Sequence, residues 1–175
     1  MHRVLALDIA SCTGWAADFP SGGDRPVMGA FRVRPEGEDL GPAFCDFEGQ
    51  IEGLIAVHQP TVLAFEAPLV IGGAGGSTRP TNHQTVRILF GLAAIAELVG
   101  RRADLTVYEL HIQAVRKHFA GSGRATKDDV MARCRLLGWE PPGRDAADAA
   151  ACWDYARHSL RVPGAASSPL LARTA

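Results

Sequence analysis

Asp8 lies near the end of the apolar run 3–10, and Glu66 near the end of a second run, 61–67. Runs apolar at nearly every position read as strands buried on both faces, where an isolated ionised carboxylate is costly to desolvate. Such a group is normally paired, hydrogen-bonded or coordinating a cation. Near the other end of the chain, Asp145 and Asp148 stand three apart among alanines in the stretch 145–153. On a helix they share one face. Each feature has a plainer reading. Asp8 could serve the turn at Ser11-Cys12-Thr13-Gly14, and the later pair could be an acidic first turn favoured by the helix dipole. The four together point elsewhere, because an all-oxygen set suits Mg²⁺ or Mn²⁺, whereas zinc would call for His and Cys. Two such ions about 4 Å apart can bind the attacking and leaving oxygens of an in-line phosphodiester displacement, with no covalent step.

The elements that must position these groups alternate between strand and helix patterns. Strands are expected over 3–10, 14–19 and 27–33, the three forming an antiparallel meander, and again over 61–67 and 105–109. Helical spacing marks 42–58, where Phe44, Phe47, Ile51, Leu54 and Ile55 recur, then 81–99, 111–118, 126–137 with Thr126 as its cap, and 145–160. Gly72, Gly73, Gly75 and Gly76 make a soft loop without the lysine of a phosphate-binding P-loop. The reading is one domain over 1–161, with a flexible tail over 162–175.

At 175 residues, with 47% hydrophobic and 21% charged, the chain is long enough for a full sheet covered by helices. No apolar run approaches a membrane span and no signal peptide is visible, so a cytoplasmic protein is expected. Cys12, Cys45, Cys134 and Cys152 are far apart, which suggests reduced, mostly buried thiols rather than a zinc site or disulfides. Trp15, Trp139 and Trp153 are expected in the core or in a protomer interface. The net charge is −1, yet residues 1–78 hold four Lys/Arg against ten Asp/Glu, and residues 79–135 hold ten against five. A basic middle third on an otherwise acidic chain is what a DNA-facing patch produces, although a solvated salt-bridged surface gives the same count.

The ordered set Leu5-Ala6-Leu7-Asp8, Thr13-Gly14-Trp15, Phe65-Glu66, Val115-Arg116-Lys117, Gly121 to Lys127, and Asp145-Ala146-Ala147-Asp148-Ala149 resembles the RuvC-type Holliday junction resolvases of the ribonuclease H-like superfamily. It spans residues 1 to about 160, and the resemblance extends to bacteriophage-type members of that family, among which relaxed substrate choice is common. The resemblance implies an α/β fold with a five-stranded mixed sheet flanked by helices. It also implies a homodimer, four-way and other branched DNA as partner, and Mg²⁺ or Mn²⁺, two ions per active site. By resemblance the catalytic and metal-holding residues are Asp8, Glu66, Asp145 and Asp148. The family's DNA-contacting lysines fall near Lys117 and Lys127, and Arg79, Arg87, Arg116, Arg124 and His118 join them as candidate phosphate contacts. Exposed solubilising charge is the plain alternative for each. One departure stands out: family members carry an aromatic shortly after the glutamate, whereas this chain has Leu69 and no aromatic before the next helix. Phe90 and Leu92 are candidates for packing between protomers. Two other readings stay open, a non-catalytic ribonuclease H-like nucleic-acid scaffold and an actin-like phosphotransferase, since Asp8 followed by Thr13-Gly14 loosely matches the latter's phosphate loop.

Overall fold

The computed structural model describes residues 2–19, 21–35, 37, 39–68 and 83–161, and the backbone of 171–173. Three antiparallel strands come first, β1 (Val4–Asp8), β2 (Cys12–Ala17) and β3 (Val27–Arg32). Helix α1 (Gly41–His58) leads to β4 (Val62–Glu66), which lies parallel to β1, and α2 (His83–Arg102) leads to β5 (Thr106–Leu110), parallel to β4. Then follow α3 (Ile112–Ala120), α4 (Lys127–Leu136) and α5 (Arg144–Arg161). The order across the sheet is β3-β2-β1-β4-β5, the five-stranded mixed sheet expected, and the short strand β6 (Leu171–Arg173) extends it antiparallel to β5. The rest of the tail, 162–170 and 174–175, lies outside the described residues, as does the glycine loop.

Side-chain alternation divides the core in two. Val4, Ala6, Val62, Ala64, Tyr108 and Leu110 face α3, α4 and α5, while Leu5, Leu7, Leu63, Phe65 and Val107 face α1 and α2. Each central strand thus spends both faces on helices, which is why β1 and β4 read as unbroken apolar runs. The α5 side is built from small residues: Ala6, Ala16 and Ala64 on the sheet meet Ala147, Ala149, Ala150 and Ala151 on the helix. Short side chains on both surfaces let helix and sheet backbones approach closely. The far end of α5 is pinned by Arg157, which lies over the Trp153 ring, pairs with Asp18 at 3.3 Å and donates to the Gly23 carbonyl.

Trp139 and Trp153 are buried in the core, and Trp15 packs partly buried beside His58. Leu92 is also wholly buried, filling the α1–α2 side of its own chain, so it has no surface to offer a second protomer; Phe90, two residues earlier, is exposed. The thiols divide: Cys134 and Cys152 are buried, Cys12 is half-buried, and Cys45 is exposed on α1, contrary to the expectation for it. Among the described residues no helix is long and apolar enough to cross a membrane.

Candidate active site

Strand parity decides where the acids point. Asp8 is two residues beyond Ala6 and Glu66 two beyond Ala64, so both carboxylates face the α5 side. Leu7 pairs with Phe65 in parallel register, which makes Asp8 and Glu66 the next neighbours across adjacent strands. Asp145 lies in the first turn of α5 and Asp148 one turn on, with their side chains 33% and 9% exposed. What brings that turn down to the sheet is Gly14, Asp8's partner in the β1–β2 register. A Cβ on Gly14 would overlap the backbone carbonyl of Asp145. Only glycine allows this contact.

Electrostatics link the acids pairwise: Asp148 and Asp145 act on Asp8, and Asp8 and Asp148 act on Glu66. Burial, then the charges of Asp148 and Asp145, pushes the Asp8 carboxyl up to about 7, against the opposing pull of Lys127 and Arg116. Burial again, then Asp8 and Asp148, pushes Glu66 up to about 8. The Lys127 ammonium reaches in from the start of α4, 2.8 Å from Asp148 Oδ2 and 3.3 Å from Asp145 Oδ1. Partial burial pulls Lys127 down, but its hydrogen bond to Asp148 and the surrounding carboxylates win and hold it above its ordinary range. The Asp145 carboxylate, accepting from Cys12, pushes that thiol up as well. Among the described residues no three acids, histidines or cysteines are already closed to the spacing of metal ligands. The donor chemistry nevertheless fits a hard divalent cation: carboxylate oxygens, partly shielded, with less positive charge nearby than two of them need to ionise at neutral pH.

Of the expected DNA contacts, Arg116 and Lys117 lie on α3, Arg124 in the α3–α4 connection and Arg87 in the second turn of α2; Lys117, Arg124 and Arg87 are exposed and Arg116 half-buried. Arg116 is close enough to act on both Asp8 and Glu66. Arg79 lies outside the described residues. His118 turns onto Asp154 at 2.9 Å and packs beside the tilted ring of His158 rather than facing outward. Neither the seat that Gly14 makes for α5 nor the inward reach of Lys127 is visible in the local sequence pattern. A lone glycine in a strand does no more than hint at close backbone approach, and that is the available signal for the first.

The raised carboxyls carry a stability consequence. A group whose folded pKa exceeds its unfolded value stabilises the fold below the unfolded value, and that contribution is lost as pH rises through the folded one. For Asp8 and Glu66 the loss falls between about pH 4 and pH 8. Metal-free protein should therefore melt at progressively lower temperature from pH 5 to pH 9, by no more than a few kcal/mol because both groups keep some solvent contact. Asp8→Asn should remove much of that slope in chelator-containing melts, whereas a flat wild-type profile would mean that these carboxylates are not crowded.

A sheet running antiparallel through its first three strands and parallel onward, with helices on both faces and acids at the ends of the first and fourth strands, has the ribonuclease H-like fold. Solved structures agree. The chain matches Thermus thermophilus RuvC in complex with Holliday junction substrate at a TM-score of 0.71 and 16% identity, over 92% of this chain and 96% of that one. It matches the yeast mitochondrial Holliday junction resolvase Ydc2 at 0.60 and 14%, over 88% and 77%. In sequence it is 30% identical over 167 residues to the crossover junction endodeoxyribonuclease RuvC of Chelativorans sp. strain BNC1, covering 92% of this chain and 91% of that protein. It is also 30% identical to the Cereibacter sphaeroides protein of that name, covering 93% of each. No protein-family model matches. The chain belongs to the RuvC family of crossover junction endodeoxyribonucleases.

Proposed function

We propose that this protein is a metal-dependent, structure-selective DNA endonuclease that nicks four-way junctions, and other branched DNA, by phosphodiester hydrolysis. The observation that carries the reading is the convergence of Asp8 and Glu66, side by side on adjacent strands, with the first turns of α5. There Asp145 and Asp148 share Lys127, and Asp148 acts on both strand carboxyls. Those carboxylates would hold Mg²⁺ or Mn²⁺, two ions per site, which supply activation of water and neutralisation of charge on the leaving 3′ oxygen. The chain's own residues do the rest. Asp8 and Glu66, fixed on neighbouring strands, set one wall of the site, and Asp145 and Asp148, fixed on α5, set the other. Arg116, Lys117, Arg124 and Arg87 offer guanidinium and ammonium donors to phosphates, which positions a duplex without reading its sequence.

Two active sites acting on opposite strands would follow from a symmetric dimer. Support comes from α2, where Phe90 and Leu98, each 46% exposed, lie eight residues apart with exposed Ala94 between them, an apolar stripe along one helix face.

Cleavage of end-labelled four-way, three-way, flap and linear DNA with Mg²⁺ and with Mn²⁺ tests the reading. Paired nicks in the four-way substrate, and little cutting of linear duplex, are expected. Binding without cleavage under both ions would favour a scaffold, and a requirement for ATP would favour a phosphotransferase. Lys117→Ala should weaken junction binding and reduce the slope of log affinity against log salt by about one, because one fewer counterion is released. An unchanged slope would mean that Lys117 never meets the backbone.

A further inference from the structure

We propose that Lys127 is an internal counterion which occupies the cation position between Asp145 and Asp148 in the free protein, and that DNA draws it away, coupling DNA binding to divalent-ion binding. The inference rests on the reading of the four acids as an ion-holding set and adds a control to it. The geometry is specific. Lys127 Nζ is 2.8 Å from Asp148 Oδ2 and 3.3 Å from Asp145 Oδ1, so one ammonium hydrogen-bonds both helix carboxylates at once. An ammonium has three donors and no acceptor, so it competes with a hard cation for the carboxylate oxygens Asp148 Oδ2 and Asp145 Oδ1, and its charge opposes a second cation between them.

The backbone beneath this side chain is fixed while the side chain itself has a way out. Lys127 follows the helix cap Thr126, whose hydroxyl accepts from the Asp129 amide at 3.2 Å while the Thr126 amide donates to Asp129 Oδ2 at 2.8 Å. That reciprocal cap anchors the first turn of α4. The Lys127 side chain is 43% exposed, against 9% for the Asp148 side chain it contacts. With that much of the side chain in solvent and four rotatable bonds in the stem, the ammonium can leave the carboxylates without a change in the backbone. A DNA phosphate beside α4 offers the ammonium an equivalent anionic partner, and when Lys127 takes it, Asp145 and Asp148 are released to a divalent ion. Linkage then works in both directions: DNA tightens the ion, and the ion tightens DNA.

The experiment measures Mn²⁺ binding to the full chain without DNA, from the free-ion paramagnetic resonance signal, for the wild type, Lys127→Ala, Lys127→Gln and Arg116→Gln. Occupancy by Lys127 predicts about tenfold tighter Mn²⁺ in both Lys127 variants, and a smaller gain in Arg116→Gln, which removes a nearby charge from the acids but no contact with Asp145 or Asp148. Equal gains in all three variants, or no gain at Lys127, would overturn it. Junction affinity by fluorescence anisotropy, with and without Ca²⁺ and read before any cleavage is seen on a gel, completes the test. The ion should tighten the junction several-fold more in the wild type than in Lys127→Ala, and an equal ratio would overturn the coupling. If none of the four proteins binds Mn²⁺, the fault lies instead with the ion-holding role of the acids.

Discussion

Asp8→Asn should abolish cleavage of a four-way junction while leaving the affinity for that junction, measured in chelator, nearly unchanged. The substitution keeps the shape of the side chain and removes its charge from the middle of the carboxylate group, so the largest loss is in holding a divalent ion where the reaction needs it. A fall of about a thousandfold or more is expected, on the order of 4 kcal/mol of transition-state stabilisation. Binding should survive because removing a negative charge does not weaken attraction to phosphate. Nor should the fold suffer: Asp8 is crowded by Asp148 and Asp145, and relieving that repulsion should leave the metal-free protein as stable or more so near neutral pH. Steady-state cleavage, anisotropy and a melting curve on the same preparation check all three. Normal cutting by Asp8→Asn would remove this residue from the site.

Gly14→Ala should damage the enzyme almost as severely, though Gly14 has no side chain to do chemistry. The added methyl would overlap the main-chain carbonyl of Asp145, which has no rotamer by which to yield. Either β2 or the first turn of α5 must shift. A displacement of about 1 Å at the reacting groups costs on the order of a hundredfold in rate, and overpacking of this kind costs about 1–3 kcal/mol in stability. Gly49→Ala is the matched control, since nothing lies within 4 Å of the added atom and alanine is the better helix former. Gly14→Ala is expected to lose cleavage by about a hundredfold with its far-ultraviolet dichroism retained, and Gly49→Ala to cut normally. Wild-type rates from Gly14→Ala would show that the descent of α5 onto the sheet is not what assembles the site.

Much of this was legible from residues alone, and the exceptions share a cause. An apolar run with one acid near its end predicted β1 and β4 because a strand covered on both faces leaves little room for polar side chains. The facing of Asp8 and Glu66 followed from the two-residue period of a strand once α5 was known to cover that face. Thr126 announced its cap, and Asp129 completed it. Position in sequence could not say which way a long, jointed side chain turns. Lys127 read as an exposed phosphate contact, yet its ammonium lies on Asp145 and Asp148. Leu92 and Phe90 sit two apart on one amphipathic helix, and a small difference in phase buries the first and exposes the second. Cys45 reads as a small apolar residue in a helix and takes the outward face of α1. Such outcomes are settled by tertiary neighbours rather than by local pattern.

The measurement that bears most directly on the ion-holding role of the four acids is a crystal of the protein grown in Mn²⁺ and measured at a wavelength where manganese scatters anomalously. Anomalous density is expected among Asp8, Glu66, Asp145 and Asp148, with the Lys127 ammonium moved off Asp148. Density absent from that place, in crystals whose solvent contains the ion in excess, would contradict it.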